Sequence, residues 1–267
     1  TDMNLGAMHN TAGDVGSYGL LYQWGRKDPF PAAPTLTGTT ATVGAPIYDG
    51  DDNEIKITTS SQSSTADNNL AFAIANPTVC LSNYAQFNTS RDWLQADMSN
   101  DALWGNPKGA ERNETNDFLN KGAKSFYDPC PVGWRVPPAD VFRNFTASGG
   151  YAWVIDDFDI ADISGDGAKS LADYDYGWTF NLSDSASSYF PAAARFDGSY
   201  AMLMGSMSGL WGSYWGNAPY PGDMFQGGAY SVLSFQIKDT AGNEMITTSP
   251  AGGGARADAY SVRCIRE

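Results

Sequence analysis

The sequence predicts one mixed α+β domain with few helices and unusually long loops. A chain of 267 residues is long enough to bury a substantial core. It contains 29 glycines and 14 prolines, and aromatic residues make up 13% of it, whereas charged residues make up only 17%. This composition is typical of globular domains rich in strands and turns, rather than of helical bundles or disordered tails. The sequence contains no internal repeat and no marked boundary, so residues 1–267 are assigned to a single domain.

Short apolar and aromatic segments predict the strands. The first is GLLYQWG at Gly19–Gly25, and the turn GRKDPFP follows it. The remaining strands are predicted beyond Tyr151, where long loops separate them. Their sequences are YAWVI, GWTFNL, SYFPAAA, AMLMGS, GLWGSYWGN, YSVLSFQI and AYSVRCIRE.

Three segments are candidates for helices. The run LAFAIANP at Leu70–Pro77 is compatible with a short helix or with a strand. A serine cap at Ser90 predicts a helix of two turns in TSRDWLQADM. The strongest candidate is PPADVFRNFTASGG, which has Pro137 and Pro138 at a helix start and a glycine stop at Gly149.

Residues 32–69 differ in composition from the rest of the chain. The segment is rich in Thr, Ser, Ala, Gly and Asp, and two parts of it alternate polar and apolar residues well enough for short strands. This pattern predicts a surface hairpin rather than a linker between domains. Within it, IYDGDDNE at Ile47–Glu54 has contiguous acidic residues, which favour a solvated turn over a metal site.

Charge and histidine content exclude several classes of function. The chain has 30 acidic and 16 basic residues and a net charge of −14, so it would repel nucleic acids and anionic membrane surfaces. The only histidine, His9, cannot form a zinc site built on several imidazoles, and we expect it to be an ordinary loop residue. No apolar run is long enough for a transmembrane helix, and no signal peptide is visible. Because the chain begins at Thr1, we expect a mature protein or an excised domain.

Several sequence blocks, in their order and spacing, are similar to the major paralogous domain of secreted surface proteins and adhesins in Bacteroidetes and Fibrobacter. This resemblance implies a C-type-lectin-like fold, shared with the formylglycine-generating enzymes, on an exported protein at a fimbrial tip or a lipoprotein end. Inserts at about 32–69 and 156–175 depart from the minimal family pattern. The blocks are NLGAM at Asn4–Met8, GLLYQWGRKDPFP at Gly19–Pro31, NPTVC at Asn76–Cys80, DW and LWGN between Asp92 and Asn106, DPCPVGWRVP at Asp128–Pro137, YFPAAAR at Tyr189–Arg195, GLWGSYWGNAPY at Gly209–Tyr220 and YSVRCIRE at Tyr260–Glu267.

The three cysteines allow one disulfide and one leftover thiol, and their spacing matches no zinc ribbon and no redox motif. In a lectin-like domain on an exported protein, a Cys130–Cys264 bond would tie the predicted helix start to the last strand. Closing so long a loop would stabilise the fold by up to about 5 kcal/mol. Cys80 is then expected to be buried and inert. The alternative is a cytosolic protein in which Cys130 and Cys264 are free buried thiols.

The aromatic run from Gly209 to Tyr230 is the candidate ligand-binding surface. Tyr and Trp side chains supply contact area at low entropic cost, and amide and carboxylate groups lie beside them. Core packing under a long loop is the alternative, and we favour it for Trp215. Exposure is expected for Trp211, Tyr214, Tyr220 and Phe225. The predicted ligand-binding residues are Trp211, Tyr214, Asn217, Tyr220, Asp223, Phe225, Gln226 and Tyr230. More loosely, this region resembles the part that varies in retroelement-diversified proteins of gut bacteria and their phages.

The segment DISGDGAKSLAD places oxygen-bearing residues at the spacing of an EF-hand or dockerin calcium loop, with Gly167 where the chain must turn sharply. Position 12 is aspartate rather than the usual glutamate, and no paired helices flank the loop. A solvated acidic turn is the alternative. The predicted calcium ligands are Asp162, Ser164, Asp166, the Ala168 carbonyl, Ser170 and Asp173.

These observations predict a non-enzymatic, extracellular binding or adhesion module that needs no cofactor other than a candidate calcium ion. Its partner would be a glycan or protein ligand, and its location extracellular, at the cell surface or on a virion. The alternatives are a fimbrial or phage-tail subunit within a larger surface assembly, and an enzyme. A glycosidase would need paired carboxylates among Asp156, Asp157 and Asp159. A formylglycine-type oxidase would need a reactive cysteine pair, for which Cys264 is already assigned a structural partner.

Overall fold

Strands dominate the structure, which is a computed structural model. It describes residues 1–37, 44–59, 69–82, 92–94, 100–113, 119–146, 155–199, 202–220, 228–237, 245–248 and 253–267. The strands are β1 (Leu20–Gln23), β2 (Pro29–Pro31), β3 (Thr58–Thr59), β4 (Val79–Cys80), β5 (Trp134–Arg135), β6 (Gly177–Ser183), β7 (Ala186–Pro191), β8 (Phe196–Asp197), β9 (Met202–Leu203), β10 (Trp211–Pro219), β11 (Gly228–Gln236), β12 (Met245–Thr248), β13 (Gly253–Ala255), β14 (Ala259–Ser261) and β15 (Ile265–Arg266).

The main sheet contains nine of these strands, and its central path runs β12-β11-β10-β14-β1-β2. Strand β14 pairs with β10 in parallel and with β1 antiparallel, so residues near the end of the sequence occupy the middle of the sheet. Strand β13 pairs with β11, β8 pairs with β14, and β9 pairs with β8. Three two-stranded sheets, β3–β4, β5–β15 and β6–β7, complete the described part. The predicted strands in GLLYQWG, GWTFNL, SYFPAAA, GLWGSYWGN and YSVLSFQI are confirmed.

Helices are few, as the sequence predicts. Of the two alternatives for LAFAIANP, the helix is correct: α1 spans Leu70–Ala75, and the Asn69 side chain caps it by accepting a hydrogen bond from the Phe72 amide. It is the only α-helix in the described residues. Short 3-10 helices lie at Val15–Ser17, Arg143–Phe145, Ile155–Asp157, Leu171–Asp173 and Gly205–Met207.

The helix predicted from Pro137 to Gly149 is wrong. Its described part consists of turns and one 3-10 helix. The backbone hydrogen bonds there, such as that from the Val141 amide to the Pro138 carbonyl, join residues three apart rather than four. Aromatic packing explains the difference, since Phe145 stacks on Phe180 of β6 with ring centroids 4.6 Å apart. A single 3-10 turn is therefore enough to bury the apolar residues Phe142 and Phe145.

The Ser90 helix is also not seen where the chain is described. Asp92–Leu94 form a bend in which the Asp92 carboxylate accepts from the Leu94 amide, and all three residues are buried. The other residues of TSRDWLQADM lie outside the described residues. The aspartate that was expected in a first helical turn instead pairs with the buried Arg256 guanidinium at 3.1 Å.

Residues 44–59, which belong to the predicted surface hairpin, contain the solvated turn expected for IYDGDDNE. Tyr48 and Glu54 form an antiparallel bridge, and the exposed Asp49 carboxylate accepts from the Asp51 and Asn53 amides. Hydrogen bonds from Asn53 and Asp51 lower the pKa of Asp49. The Asp49 carboxylate thus stabilises the turn through hydrogen bonds to its backbone.

Strand β10 contributes side chains to two aromatic cores, and a third cluster contains Tyr18, Phe30 and Phe196. One core contains four fully buried tryptophans, Trp24, Trp93, Trp104 and Trp215. The other is built mainly from phenylalanines of β6, β7 and the preceding loops, with Tyr214 and Phe235 contributed by the sheet. Because β10 supplies Trp215 to the first core and Tyr214 to the second, its alternating side chains join the two cores.

The predicted disulfide is confirmed. Cys130 and Cys264 form a disulfide, and Cys80 is buried and outside it. Burial raises the pKa of the Cys80 thiol to about 12, so the thiolate needed for reaction is not formed at neutral pH. A disulfide is compatible with a secreted protein.

Arg263, next to this disulfide, is a buried cation. Its guanidinium donates to Ser188 Oγ at 2.8 Å, to Asn4 Oδ1 at 3.2 Å and to the Tyr189 carbonyl at 2.7 Å. It also lies 3.8 Å from the centroid of the Phe190 ring. Burial lowers the pKa of Arg263 to about 10. The acceptors named here are neutral, so this residue ties the N-terminal segment and β7 to the C-terminal segment through hydrogen bonds.

Arg263→Ala should therefore lower the free energy of unfolding by about 2–5 kcal/mol, because it leaves buried acceptors unpaired and opens a cavity. Arg266→Ala is the matched control: Arg266 is exposed, and its loss should change stability by at most about 0.5 kcal/mol. Urea unfolding of both variants measures the difference. Equal midpoints would show that Arg263 does not anchor the termini.

Candidate functional site

The candidate site is built around Trp211, the first residue of β10. The indole is half-buried, and its Nε1 donates to Ser213 Oγ at 2.9 Å. The preceding Gly209 has φ +71°, and a Cβ there would lie 1.8 Å from the Leu36 carbonyl oxygen, so only glycine fits this turn. The turn and the strand together set the position of the ring.

Arg195 stacks on this ring, with its guanidinium carbon 4.6 Å from the ring centroid. The guanidinium also contacts Asp258 at 3.4 Å and Asp197 at 3.6 Å. Asp258 is buried and accepts further hydrogen bonds from the Gly198 amide and the Tyr260 hydroxyl. Burial raises the pKa of Asp258, and Arg195 opposes this effect. The planar cation is therefore fixed on both its face and its edges.

Strand β11 adds polar groups beside the indole. Trp211 is paired with Gln236 and Ser213 with Ser234, and the two serine hydroxyls lie 3.1 Å apart. Residues directly opposite each other in an antiparallel pair share one face of the sheet, so these side chains lie on the same face as the ring. Gln236 and Ser234 are half-buried, as are Arg195 and Asp197. We call this set, Trp211, Arg195, Asp197, Ser213, Ser234 and Gln236, the Trp211 surface.

The expected exposure of Tyr214 is wrong. This side chain is fully buried, its hydroxyl donates to the Pro191 carbonyl at 2.8 Å, and its ring packs edge-on against Phe190. The reason is the alternation of β10, which directs Trp211 and Tyr214 to opposite faces of the sheet. The core assignment of Trp215 is confirmed, since it is fully buried and stacks on Tyr260.

Asn217 is also buried, which is inconsistent with direct contact to a ligand at the surface. Its Oδ1 accepts from Asn106 Nδ2 at 2.8 Å, and its Nδ2 donates to the Lys121 carbonyl. Tyr220 is half-buried and packs over Gly253 of β13, where an added Cβ would meet its ring at 2.9 Å. Both side chains hold neighbouring segments against the end of β10.

The other five predicted ligand-binding residues are Trp211, Tyr230 and three residues that the structure does not describe. Trp211 is half-buried and belongs to the Trp211 surface. Tyr230 lies in β11, paired with Gly253. Asp223, Phe225 and Gln226 lie outside the described residues. Sequence reasoning missed Arg195, Asp197, Ser234 and Gln236, although the alternation of polar and apolar residues in YSVLSFQI places Ser234 and Gln236 on one strand face.

The predicted calcium loop is a hydrogen-bonded turn. The Asp162 carboxylate accepts from the Ser164 hydroxyl and from the Gly165 and Gly167 amides. Asp173 is buried and forms a capping box with Ser170. Asp166 accepts from the Ala168 amide at 2.8 Å. Within the described ranges, no group of three or more His, Cys, Asp or Glu side chains is arranged to hold a metal ion. Calcium at this loop stays a prediction.

The remaining candidates lie apart from the Trp211 surface. Asp156, Asp157 and Asp159 are exposed, and Asp159 accepts from the Asn181 side chain at 2.9 Å. His9 lies in a loop, as expected, with its Nε2 3.5 Å from the Asp14 carboxylate.

Comparisons of this chain with protein-family models, curated proteins and solved structures found no significant match. In the part of the chain that the structure describes, no helix has the length and apolar character needed to cross a membrane.

Trp211→Ala and Tyr214→Ala should have very different effects on stability. Trp211 is half-buried, so its truncation should cost about 1 kcal/mol, whereas truncation of the fully buried Tyr214 should cost about 3–5 kcal/mol. Chemical denaturation of both variants measures these values. A loss for Trp211→Ala as large as that for Tyr214→Ala would identify the indole as a core residue rather than a surface group.

The calcium prediction is tested by thermal melting in excess calcium and in chelator. A bound cation stabilises the folded state by mass action, so calcium should raise the melting temperature of the native chain but not that of Asp162→Asn. Identical melts of the native chain under both conditions would leave only the hydrogen-bonded turn.

Proposed function

We propose that this chain is a non-enzymatic, extracellular binding or adhesion module of C-type-lectin-like fold. It presents the Trp211 surface to a glycan or protein ligand at a cell or virion surface. The observation that carries the proposal is a half-buried indole held in one orientation by Arg195 and Ser213 and bordered by amide, hydroxyl and carboxylate groups. A fixed aromatic ring beside such groups gains contact area on binding without a large loss of side-chain entropy.

The lectin-like part of the proposal is supported by how the ends of the domain meet. The Leu5 amide donates to the Val262 carbonyl, and the Thr1 amino group donates to the Cys264 carbonyl. The Cys130–Cys264 disulfide joins the same C-terminal segment to the block DPCPVGWRVP. The resemblance of the sequence blocks to the major paralogous domain implies such a fold on exported surface proteins.

An extracellular location is compatible with the disulfide, and the negative net charge argues against nucleic acid as a partner. The alternative of a fimbrial or phage-tail subunit would be favoured by an unpaired terminal strand. The C-terminal strand β15 is paired with β5, and β14 is paired on both sides. We therefore place ligand binding first.

The test is a screen of the purified domain on glycan and protein arrays, repeated with Trp211→Ala. We expect at least one ligand class to be captured by the native chain and to be lost or weakened in the variant. The matched control is Tyr48→Ala, which removes another accessible aromatic ring, 58% exposed, from the 44–59 segment. Capture that depends on Tyr48 instead would move the binding site to the 32–69 insert.

A further inference from the structure

We infer that the ligand of this chain is a protein, recognised through a short segment that carries apolar and cationic side chains. This inference rests on the proposed binding function and specifies its ligand. It follows from an exposed apolar patch beside Trp211, from the backbone conformation that shapes the patch, and from the negative charge around it. We call Tyr176, Leu210 and Trp211 the Leu210 patch.

The Leu210 patch lies around the turn at Gly209. Tyr176 and Leu210 are 37% and 42% exposed. The Tyr176 ring contacts Gly209, since a Cβ added there would lie 2.8 Å from its Cδ1 atom. Leu210 and the half-buried Trp211 follow Gly209 directly in the chain. Apolar side chains from two separate segments are thus only partly covered at one place, which is typical of an interaction surface rather than of scattered surface residues.

Two further apolar residues border the patch. The Leu210 amide donates to the Met207 carbonyl at 3.0 Å, and the Leu36 carbonyl lies against Gly209. Both side chains are half-buried. Together these residues offer an apolar surface larger than one aromatic ring.

Arg195 argues against a sugar as the ligand. Its guanidinium carbon lies 4.6 Å from the Trp211 ring centroid, so the guanidinium covers one face of the indole. A sugar that binds by stacking needs an open ring face. Apolar side chains of a protein can instead pack against the exposed parts of Tyr176, Leu210 and Trp211 together.

Strained backbone flanks the patch on two sides. Tyr176 has φ +51° and Ala194 has φ +61°, a left-handed conformation that costs free energy for residues other than glycine. The Ala194 amide donates to the Trp211 carbonyl at 2.9 Å, and Ala194 directly precedes Arg195. Such strain is found most often at functional sites, where it holds side chains in a binding position. At Tyr176 it holds the ring against Gly209.

The charges around the patch favour a cationic segment. Asp175 directly precedes Tyr176, and the carboxylates of Asp197 and Asp258 lie 3.6 and 3.4 Å from the Arg195 guanidinium, whose charge they compensate. The chain as a whole has a net charge of −14. An acidic protein, an anionic membrane or a second copy of this chain would be repelled, whereas lysine or arginine side chains beside apolar ones would be attracted.

The probe is a short synthetic peptide of leucine and lysine, titrated with the purified chain and followed by fluorescence anisotropy. Two matched peptides replace either the lysines by glutamate or the leucines by serine. We expect the leucine–lysine peptide to bind and each matched peptide to bind at least about tenfold more weakly, because each lacks one of the two recognised features. Added salt should weaken binding several-fold, since it screens the attraction between opposite charges.

Leu210→Ser should weaken binding of the leucine–lysine peptide by about tenfold or more. Tyr176→Gly should have the same effect and should keep the urea midpoint near that of the native chain, because glycine adopts φ +51° without strain and this offsets the loss of a partly exposed ring. The matched control is Leu182→Ser, which removes another leucine, 55% exposed, near the end of β6 that is remote from Tyr176. It should leave the affinity unchanged.

The outcomes separate this inference from the proposed function. No binding of the leucine–lysine peptide, equal binding of the glutamate peptide, or binding that survives both Leu210→Ser and Tyr176→Gly would overturn the inference. Capture of glycans alone on the arrays would also overturn it and would leave a binding module with another ligand. Failure to capture any glycan or protein would contradict the proposed function itself.

Discussion

The structure depends on how the C-terminal segment is held inside it. In three consecutive residues, Val262 accepts from the Leu5 amide, Arg263 donates to Asn4 and β7, and Cys264 is bonded to Cys130. A buried guanidinium with neutral partners is costly unless its hydrogen bonds are made, so the segment has few alternative positions. Because β14 immediately precedes it, this constraint also sets the middle of the main sheet.

The geometry of the Trp211 surface depends on the position of β14 in the middle of the main sheet. Strand β14 pairs with β10 on one side, and β8 pairs with β14, so Asp258 and Arg195 are brought to the start of β10. The ring of Trp211 is thus oriented by residues that are distant in the sequence but fixed by one sheet. A site on strands is held more precisely than one on loops, which supports the proposed role of this ring in ligand binding.

Much of the strand content was predictable, because local alternation and turn residues define a strand without knowledge of its neighbours. The Pro137 helix was not, because its apolar spacing was satisfied by one turn packed on β6. At the candidate site, the aromatic run from Gly209 to Tyr230 predicted Trp211 as a surface residue. Tyr214 was misassigned because the sequence does not reveal which side chains of β10 are covered by other parts of the chain. Arg195 was missed because its contact with Trp211 depends on strand order, which single-sequence patterns do not encode.

The alternation along β10 has an evolutionary consequence. Tyr214 and Trp215 fill the two cores, whereas Trp211 and its neighbours across β11 are only partly covered. Under the proposed binding function, substitutions at Trp211 would change ligand recognition, while the intervening buried positions preserve the framework. Under the same proposal, this strand pair would acquire a new ligand specificity through a few point substitutions that leave the fold intact.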